Sequence, residues 1–281
     1  KAPGAGVRRE SGGAVYQKSY GAKSVEPVLL PMSADTIFDG ASLTKVIATT
    51  PAIMLLVERG KLRLTDKVNR WIPGFEAHGK EAVTIRHLLT HTSGLRPGLS
   101  AKPAWSGVAK AIDLAKEERL TAPPGTKFRY SDINFILLGE IVQLASGQLL
   151  DEFTFKHIYR RLGMRDTGFL PPFKKRSRVA PTERMGGEIL HGIVHDPTAR
   201  RMDGVAGHAG LFAPADDVMR FAQAFLDAWH GRSDALPRWV KEFAQRQRLP
   251  ENSDWALGWD TPTQGQSSSG QYFSEDSVGH L

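Results

Sequence analysis

The segment from Ser42 to Arg59 restricts the possible folds of this chain more than any other segment. It is long enough for about five helical turns. A helix that is apolar all round is stable only when other elements bury it. Pro51 predicts a kink or a break, and Gly60 ends the segment. We therefore predict a fold built around one deeply buried helix, whose apolar residues are Val46, Ile47, Ala48, Ile53, Met54, Leu55, Leu56 and Val57.

The composition supplies enough apolar residues to build such a core. The chain has 281 residues, of which 41% are hydrophobic and 24% are charged. This excludes wholesale disorder and predicts one large domain or two interleaved subdomains. No window approaches the roughly 18 uninterrupted apolar residues of a membrane-spanning helix. The absence of cysteine excludes disulfides, thiolate nucleophiles and cysteine-ligated metal sites.

The formal net charge of +7 raises the question of a nucleic-acid partner. The arginines and lysines are scattered, and the densest cluster, Lys174–Arg178, follows two prolines in an apparent loop. No helix shows a basic stripe, and no basic motif is interleaved with aromatic residues. We therefore expect a basic, solvated surface and no nucleic-acid partner.

Around the central helix, the pattern predicts mostly helices between two stretches of strand. The loosely alternating segment Gly13–Gly21 predicts a strand, and Pro262–Gly270 predicts a flexible loop. Thr84 is a suitable N-cap for the helix that starts after it. The further predicted helices are Thr84–Thr90, Ser106–Leu120, Asn134–Ser146, Leu150–Arg161 and Ala215–His230.

Two polar residues at the start of the buried helix have the spacing of a nucleophile and its base. Ser42 and Lys45 are three residues apart, so their side chains share a helix face. A serine hydroxyl attacks a carbonyl only when a base takes its proton, and a buried lysine can act as that base. The backbone N–H of Ser42 is also available to an oxyanion. Taken alone, the pair is equally well explained by an ordinary capped helix.

Tyr130 offers a second proton carrier. It follows the turn at Pro123-Pro124-Gly125 and precedes an apolar helix, which places its phenol on a short interior loop. A phenol near a lysine ammonium can accept and return a proton during catalysis. A core tyrosine with a satisfied hydroxyl is the alternative.

His87 and His91 form an i, i+4 pair, a spacing found in zinc sites. Leu88 follows His87, so the glutamate of a His-Glu-x-x-His motif is missing. We therefore expect a structural role for both histidines at a helix end, and we expect neither a metal nor a cofactor.

Together, these residues resemble the serine β-lactamase and penicillin-binding protein superfamily. Ser-x-x-Lys at Ser42, Tyr-x-Asp at Tyr130 and a glycine-bounded histidine near the end follow its order of motifs. The most similar branch is the class C β-lactamase-like one, which includes family VIII carboxylesterases and D-amino-acid peptidases. The resemblance covers roughly residues 14 to 281 and is carried by the stretches Phe38–Lys45, Val83–Leu95, Phe128–Gly139 and Gly204–Phe212.

The resemblance implies an α/β (α+β) fold, with an antiparallel sheet flanked by helices and a mostly helical subdomain. We expect a single β-lactamase-like domain over residues 1–281, with a sheet subdomain at about 1–60 and 205–281 and a helical subdomain at about 61–204. It also implies that Ser42 attacks an ester or amide carbonyl. Lys45 and Tyr130 would then share the base and acid roles, and water would release the acyl-enzyme.

The sequence departs from the family pattern at two positions. Asp132 is the third residue of the tyrosine motif, where β-lactamases usually have Asn, and a carboxylate cannot donate to the acylamide carbonyl of a substrate. The third motif has two candidates, His208 and His280. Chain position favours His280 as a substrate-binding residue.

These observations favour a serine hydrolase that acts on small esters, because Asp132 argues for ester over lactam. The alternative is a penicillin-recognising D,D-peptidase or β-lactamase, and a second alternative is an inactive binding protein on the same fold. The expected partner is a small ester or amide substrate. The sequence does not predict an oligomeric state.

Both chain ends suggest a longer protein. The chain starts at Lys1 without Met, as after removal of a signal peptide or trimming, and a periplasmic or secreted location is favoured. The strand predicted at Ser277–Leu281 ends where the family has a further strand and a helix. We expect a fragment whose C-terminal strands are disordered, lie outside this sequence or come from another chain.

Overall fold

One long hairpin forms most of the first sheet. In the computed structural model, which describes residues 3–263, 270 and 272–280, β1 (Gly4–Ser11) pairs antiparallel with β2 (Ala14–Ser24). β3 (Leu30–Pro31) joins the other edge of β2. The sequence pattern predicted β2 but not β1, because the residues of β1 do not alternate between polar and apolar. Most of the predicted loop Pro262–Gly270 lies outside the described residues.

Five short strands follow, and three of them form the second sheet. The buried strand β8 is central in that sheet and pairs antiparallel with β4 on one side and β5 on the other. β6 and β7 form a separate two-stranded hairpin. The strands are β4 (Ile37–Asp39), β5 (Gly168–Phe169), β6 (Arg184–Met185), β7 (Glu188–Ile189) and β8 (Leu211–Pro214).

The predicted central helix is present, but it begins with a wide turn. Lys45–Thr49 form a π-helical turn, in which the Thr50 N–H donates to the Lys45 carbonyl. α1 (Thr50–Glu58) continues from it and is almost wholly buried. Pro51 lies in the first turn of α1, where its missing N–H is tolerated. The chain therefore stays helical through Pro51, where a kink or a break was predicted, and changes from a π-helical turn to an α-helix just before it.

The other predicted helices are present, most with shorter ends, whereas α4 begins two residues before its predicted start at Asn134; α6 and α8 are additional. A second π-helical turn, Phe155–Tyr159, follows α5, and 3₁₀ turns lie at Val68–Arg70, Ala77–Gly79 and Phe173–Arg178. The α-helices are α2 (Ile85–Leu89), α3 (Val108–Glu117), α4 (Asp132–Ser146), α5 (Leu150–Thr154), α6 (Pro197–Arg201), α7 (Ala215–Trp229) and α8 (Val240–Ala244).

The core lies where α1 packs against α4. Every residue of α4 from Ile133 to Gly139 is buried, so the first half of α4 is surrounded on all sides. The start of α4 contacts the π-helical turn through Lys45, which pairs with Asp132 and lies 5.7 Å from the centre of the Phe135 ring. This packing brings the loop that carries Tyr130 against Ser42 and Lys45.

Antiparallel strands with helices packed around them agree with the predicted α/β (α+β) fold. β5, β6 and β7 lie within the stretch predicted to be helical, and the division into a sheet subdomain and a helical subdomain stays a prediction. Within the described residues, no single helix is long and apolar enough to cross a membrane; α4 together with Leu150–Tyr159 reaches the required length and composition only as a pair bent by 73°.

Candidate active site

Ser42 lies in a tight turn between β4 and the central helix. Asp39 holds this turn, because its Oδ1 accepts the Ala41 N–H at 2.8 Å, and Ala41 adopts a positive φ of 44°. The Gly40 N–H donates to the carbonyl of Leu211 on β8 at 2.7 Å. The turn thus fixes Ser42 to the second sheet on one side and to the buried helix on the other.

Lys45 is completely buried and places its ammonium group at the centre of the site. Its side chain is 0% exposed. Nζ donates to Ser42 Oγ at 3.0 Å and to the His208 carbonyl at 2.9 Å, and it pairs with Asp132 Oδ1 at 2.8 Å. An ammonium has three N–H donors, so each of them has an acceptor here. These partners offset the cost of burying the charge.

Tyr130 approaches the same serine oxygen from the other side. Its hydroxyl donates to Ser42 Oγ at 3.0 Å, and His280 Nε2 lies 3.3 Å from the phenol oxygen. The Lys45 Nζ lies 5.0 Å from the centre of the Tyr130 ring, within the range of a cation–π contact. Ser42, Lys45 and Tyr130 therefore form one hydrogen-bonded group; spacing in the sequence predicted the Ser42–Lys45 contact, and the family resemblance implied that Tyr130 joins it.

The two candidates for the third motif lie at different places. His280 is next to Gly279, which exchanges two backbone hydrogen bonds with Asp260 at 2.9 and 3.0 Å, and this bridge brings His280 to Tyr130. His208 is buried behind Lys45 and contributes its backbone carbonyl to it. The structure thus brings His280, and not the ring of His208, beside the phenol.

Asp132, Asp196 and His208 lie close enough together to raise the question of a metal, with ligand atoms within 4.8 Å of one another. Asp132 already pairs with Lys45, and His208 Nε2 bonds Asp196 Oδ1 at 2.9 Å. Burial would raise the pKa of Asp196, but the hydrogen bond and charge of His208, with backbone N–H groups of α6, lower it to about 2. Because both carboxylates already have such partners, we assign no metal to this cluster.

The backbone N–H of Ser42 differs from those of the turn residues that follow it. The turn residues Leu43, Thr44 and Lys45 donate their N–H groups to backbone carbonyls, whereas no hydrogen bond within the described part of the chain uses the N–H of Ser42. A free backbone N–H beside the nucleophile can stabilise the negative charge of a tetrahedral intermediate.

His91 is the site residue whose position the sequence interpretation did not predict. Its ring stacks on Tyr130 with a centroid distance of 4.5 Å and an angle of 29° between the ring planes. Spacing with His87 suggested only a helix end or a metal pair. The only indication in the sequence that His91 belongs to the site was that it lies in Val83–Leu95, a stretch that resembles the family.

Two relatives of known name resemble this chain over 87% of its length. It is 34% identical to "N-acetylmuramyl-L-alanine amidase" of Bacillus subtilis (strain 168) over 275 residues. It is 33% identical to "Putative D-alanyl-D-alanine carboxypeptidase" of Escherichia coli (strain K12) over 288 residues. The chain spans 62% and 64% of the length of these two relatives.

Comparison with solved structures supports the fold that the sequence predicted. The octameric penicillin-binding protein homologue from Pyrococcus abyssi superposes with a TM-score of 0.72 at 25% sequence identity, over 92% of this chain and 60% of that one. The predicted fold class is therefore confirmed. The family model described as Beta-lactamase matches residues 2–280, and the chain belongs to this family.

Proposed function

We propose that this chain is a serine acyl hydrolase that cleaves short peptide amides ending in D-alanine or attached to muramic acid. One observation carries the proposal: Ser42 Oγ receives hydrogen bonds from both Lys45 Nζ and the Tyr130 hydroxyl, each at 3.0 Å. A serine held between two proton carriers at this distance is poised for nucleophilic catalysis. Placement in the class C-like branch of the family is part of this proposal.

In the proposed reaction, the Ser42 oxygen attacks the substrate carbonyl carbon. Before the attack the Lys45–Tyr130 pair must hold one proton fewer than the ammonium and the phenol together, and the pair then takes the Ser42 proton while the Ser42 N–H binds the oxyanion. The pair then returns the proton to the departing amine nitrogen as the C–N bond breaks, which leaves an acyl-enzyme. Water repeats the sequence at the acyl carbonyl, with the same pair as base and then acid, and restores the free serine.

The names of the relatives support peptide amides as the substrate class, because one is named as an amidase and the other as a carboxypeptidase. The position of His280 supports the same class. Its Nε2 lies 3.3 Å from the Tyr130 oxygen, so the imidazole lies beside the phenol that would return the proton to the departing group. We propose that His280 binds the carboxylate of a leaving D-amino acid.

A second candidate is the hydrolysis of small esters, which Asp132 favours. Its Oδ1 is held by Lys45 at 2.8 Å, and a carboxylate offers no donor to the amide carbonyl on the acyl side of a peptide or lactam. An ester of a simple acid has no such amide. The two candidates share the same acyl-enzyme chemistry and differ only in how the acyl group is recognised.

Covalent labelling of Ser42 tests the shared chemistry. A fluorophosphonate should label the wild-type chain at one site, and Ser42→Ala should abolish the label, while Ser100→Ala, a change at an exposed serine, should keep it. A label that persists in Ser42→Ala would show that the nucleophile is another residue.

Substrate assays then separate the candidates. Release of D-alanine from an acylated D-alanyl-D-alanine peptide supports the peptidase, and faster turnover of a short-chain nitrophenyl ester or a chromogenic cephalosporin supports the alternatives. Labelling of Ser42 without turnover of any of the three would favour an inactive binding protein.

The location that fits this proposal is outside the cytoplasm. Muramyl peptides and D-alanyl-D-alanine termini are components of the bacterial cell wall, so an enzyme that cleaves them meets its substrate in the periplasm or beyond. Fractionation of the cells that make the full-length protein checks this location. Recovery of all of the protein with the cytoplasmic fraction would contradict it.

A further inference from the structure

We propose that His91 is a positioning residue that holds Tyr130 against Ser42, an inference that rests on the proposed role of Tyr130 in proton transfer. His91 touches no reacting atom. It acts on Tyr130 through three contacts: two with the backbone on either side of the tyrosine and one with the tyrosine ring.

The first two contacts fix the backbone of the tyrosine loop. The Arg129 N–H donates to the His91 carbonyl at 2.8 Å. The Ser131 N–H donates to His91 Nδ1 at 3.0 Å. One residue therefore binds the N–H groups of both residues that flank Tyr130, Arg129 and Ser131, which leaves the tyrosine backbone little freedom to shift.

The third contact fixes the direction of the phenol. The His91 ring stacks on the Tyr130 ring at 4.5 Å, and it is backed by the edge of Trp255 at 5.2 Å and by Phe135 at 5.2 Å. His91 itself is 1% exposed. The tyrosine therefore has a packed aromatic wall behind it and Ser42 in front of it.

The protonation state of His91 suits this role. Its Nδ1 accepts the Ser131 N–H and faces the Asn134 amide nitrogen at 3.3 Å, so its proton lies on Nε2. Burial, followed by the charges of Lys45 and His280, lowers the pKa of His91 well below its usual value. The ring therefore stays neutral and adds no charge beside the Lys45 ammonium.

The backbone of His91 also indicates a specific requirement. Its φ is +55°, a left-handed conformation that is uncommon for residues other than glycine and that asparagine, aspartate and histidine adopt more readily than the rest. This conformation turns the carbonyl and the side chain of one residue toward the same loop. Asparagine tolerates it and carries an acceptor oxygen as far from Cβ as Nδ1 is.

Two substitutions separate the acceptor from the ring. His91→Asn keeps an acceptor for the Ser131 N–H and loses the stacked ring, whereas His91→Phe keeps a ring and loses the acceptor. A misplacement of about 1 Å at a reacting group can cost about 100-fold in rate. We expect the rate constant for fluorophosphonate labelling of Ser42, per folded molecule, to fall about 100-fold in His91→Phe and by less than about fivefold in His91→Asn.

For whichever substrate is turned over, kcat should fall in parallel while KM stays within about twofold, because His91 aligns proton transfer and does not bind substrate. If His91→Phe does not fold, His91→Ala replaces it, since alanine removes the acceptor without adding bulk. The folded fraction is measured by circular dichroism for every variant.

The matched control is His87→Phe. His87 lies one helical turn earlier, and its Nδ1 also accepts a backbone N–H, from Thr84 at 3.2 Å, but that bond belongs to the N-cap of α2 and not to the site. His87→Phe should lower stability and leave the labelling rate per folded molecule unchanged.

Two results would overturn the inference: an unchanged labelling rate in the folded His91→Phe or His91→Ala variant, or equal losses in the asparagine and phenylalanine variants. Failure of the wild-type chain to be labelled at Ser42 is a separate result. It would remove the proposed function, and with it the reason for positioning Tyr130.

Discussion

Lys45 is the residue whose surroundings restrict the chemistry most. Its three N–H groups bond to a hydroxyl, a backbone carbonyl and a carboxylate, so its position is fixed from three directions. Ordering a side chain with four rotatable bonds costs conformational entropy. The three hydrogen bonds of Lys45 offset this cost. The loss of any one acceptor should therefore change the direction in which Lys45 approaches Ser42.

Lys45 and Tyr130 should act as a unit, since both bond the same Ser42 oxygen at 3.0 Å. We expect Lys45→Ala and Tyr130→Phe each to lower kcat by several orders of magnitude and the double variant to lose little more. Single-turnover acylation rates of the four proteins measure this. Losses that multiply in the double variant would show that the two groups act independently.

Asp132 should set the preference between acyl groups. Asp132→Asn supplies an amide donor for a substrate amide carbonyl, and one such hydrogen bond should raise the kcat/KM ratio of peptide to ester by about threefold to tenfold. Asp132→Ala is the control, because it removes the carboxylate without adding a donor. An equal ratio in the asparagine and alanine variants would contradict this role.

At the scale of elements, the site depends on how closely the loop before β8 approaches α4. A side-chain carbon on Gly207 would overlap the Phe135 carbonyl oxygen and lie within 3.0 Å of the Gly139 backbone. The Gly207 carbonyl also accepts the Thr49 hydroxyl at 2.6 Å. Since His208 follows directly, this close contact positions the carbonyl that bonds Lys45.

Gly207→Ala should therefore separate the loop from α4. Overpacking of this kind costs about 1–3 kcal/mol of unfolding free energy, and kcat should fall as well because Lys45 loses its fixed acceptor. Gly168→Ala in β5 is the control, since nothing lies within 4 Å of a carbon added there. Urea unfolding and the Ser42 labelling rate measure both effects; equal stability of the two variants would refute the argument.

The sequence predicted the local part of this arrangement and not the long-range part. Helical periodicity predicted the central helix and α4, and Ser-x-x-Lys spacing predicted the Ser42–Lys45 contact, because these features depend on neighbours along the chain. The His208 carbonyl behind Lys45 and the stack of His91 on Tyr130 depend on packing between distant segments, and no periodicity encodes them. The sequence did not predict β1, because most of its residues are exposed and polar and apolar residues therefore do not alternate along it.

For the whole molecule, three partly or fully buried histidines make stability depend on pH. Burial is the largest cause that lowers the pKa of His87, His91 and His157 below the ordinary value of 6.5. Below that pH the unfolded chain takes up protons that the folded chain does not, so acidification favours unfolding. Above about pH 7 both states are neutral at these residues, and the effect disappears.

The fully buried His91 should dominate this dependence. Each histidine that stays neutral on folding removes up to about 1.4 kcal/mol per pH unit, and about half of that at pH 6.5, where the unfolded chain is half protonated. Wild-type stability should therefore fall by at most about 1.7 kcal/mol between pH 6.5 and pH 5 through His91 alone. His91→Asn should flatten the curve over this interval. Urea unfolding at both pH values measures it, and parallel curves for wild type and His91→Asn would count against a neutral, buried His91.

The π-helical turn at the start of the central helix changes the direction in which the residues before it point relative to the side chains of α1. Each residue of an α-helix rotates the side-chain direction by about 100°, and a π-helical turn holds one extra residue within a single hydrogen-bonded loop. The direction in which Ser42 and Lys45 point is therefore offset from that of the side chains of α1. A chain one residue shorter between Lys45 and Pro51 would rotate Ser42 and Lys45 together by about 100° relative to α1. Both would then point away from Asp132 and the His208 carbonyl, which now bind Lys45.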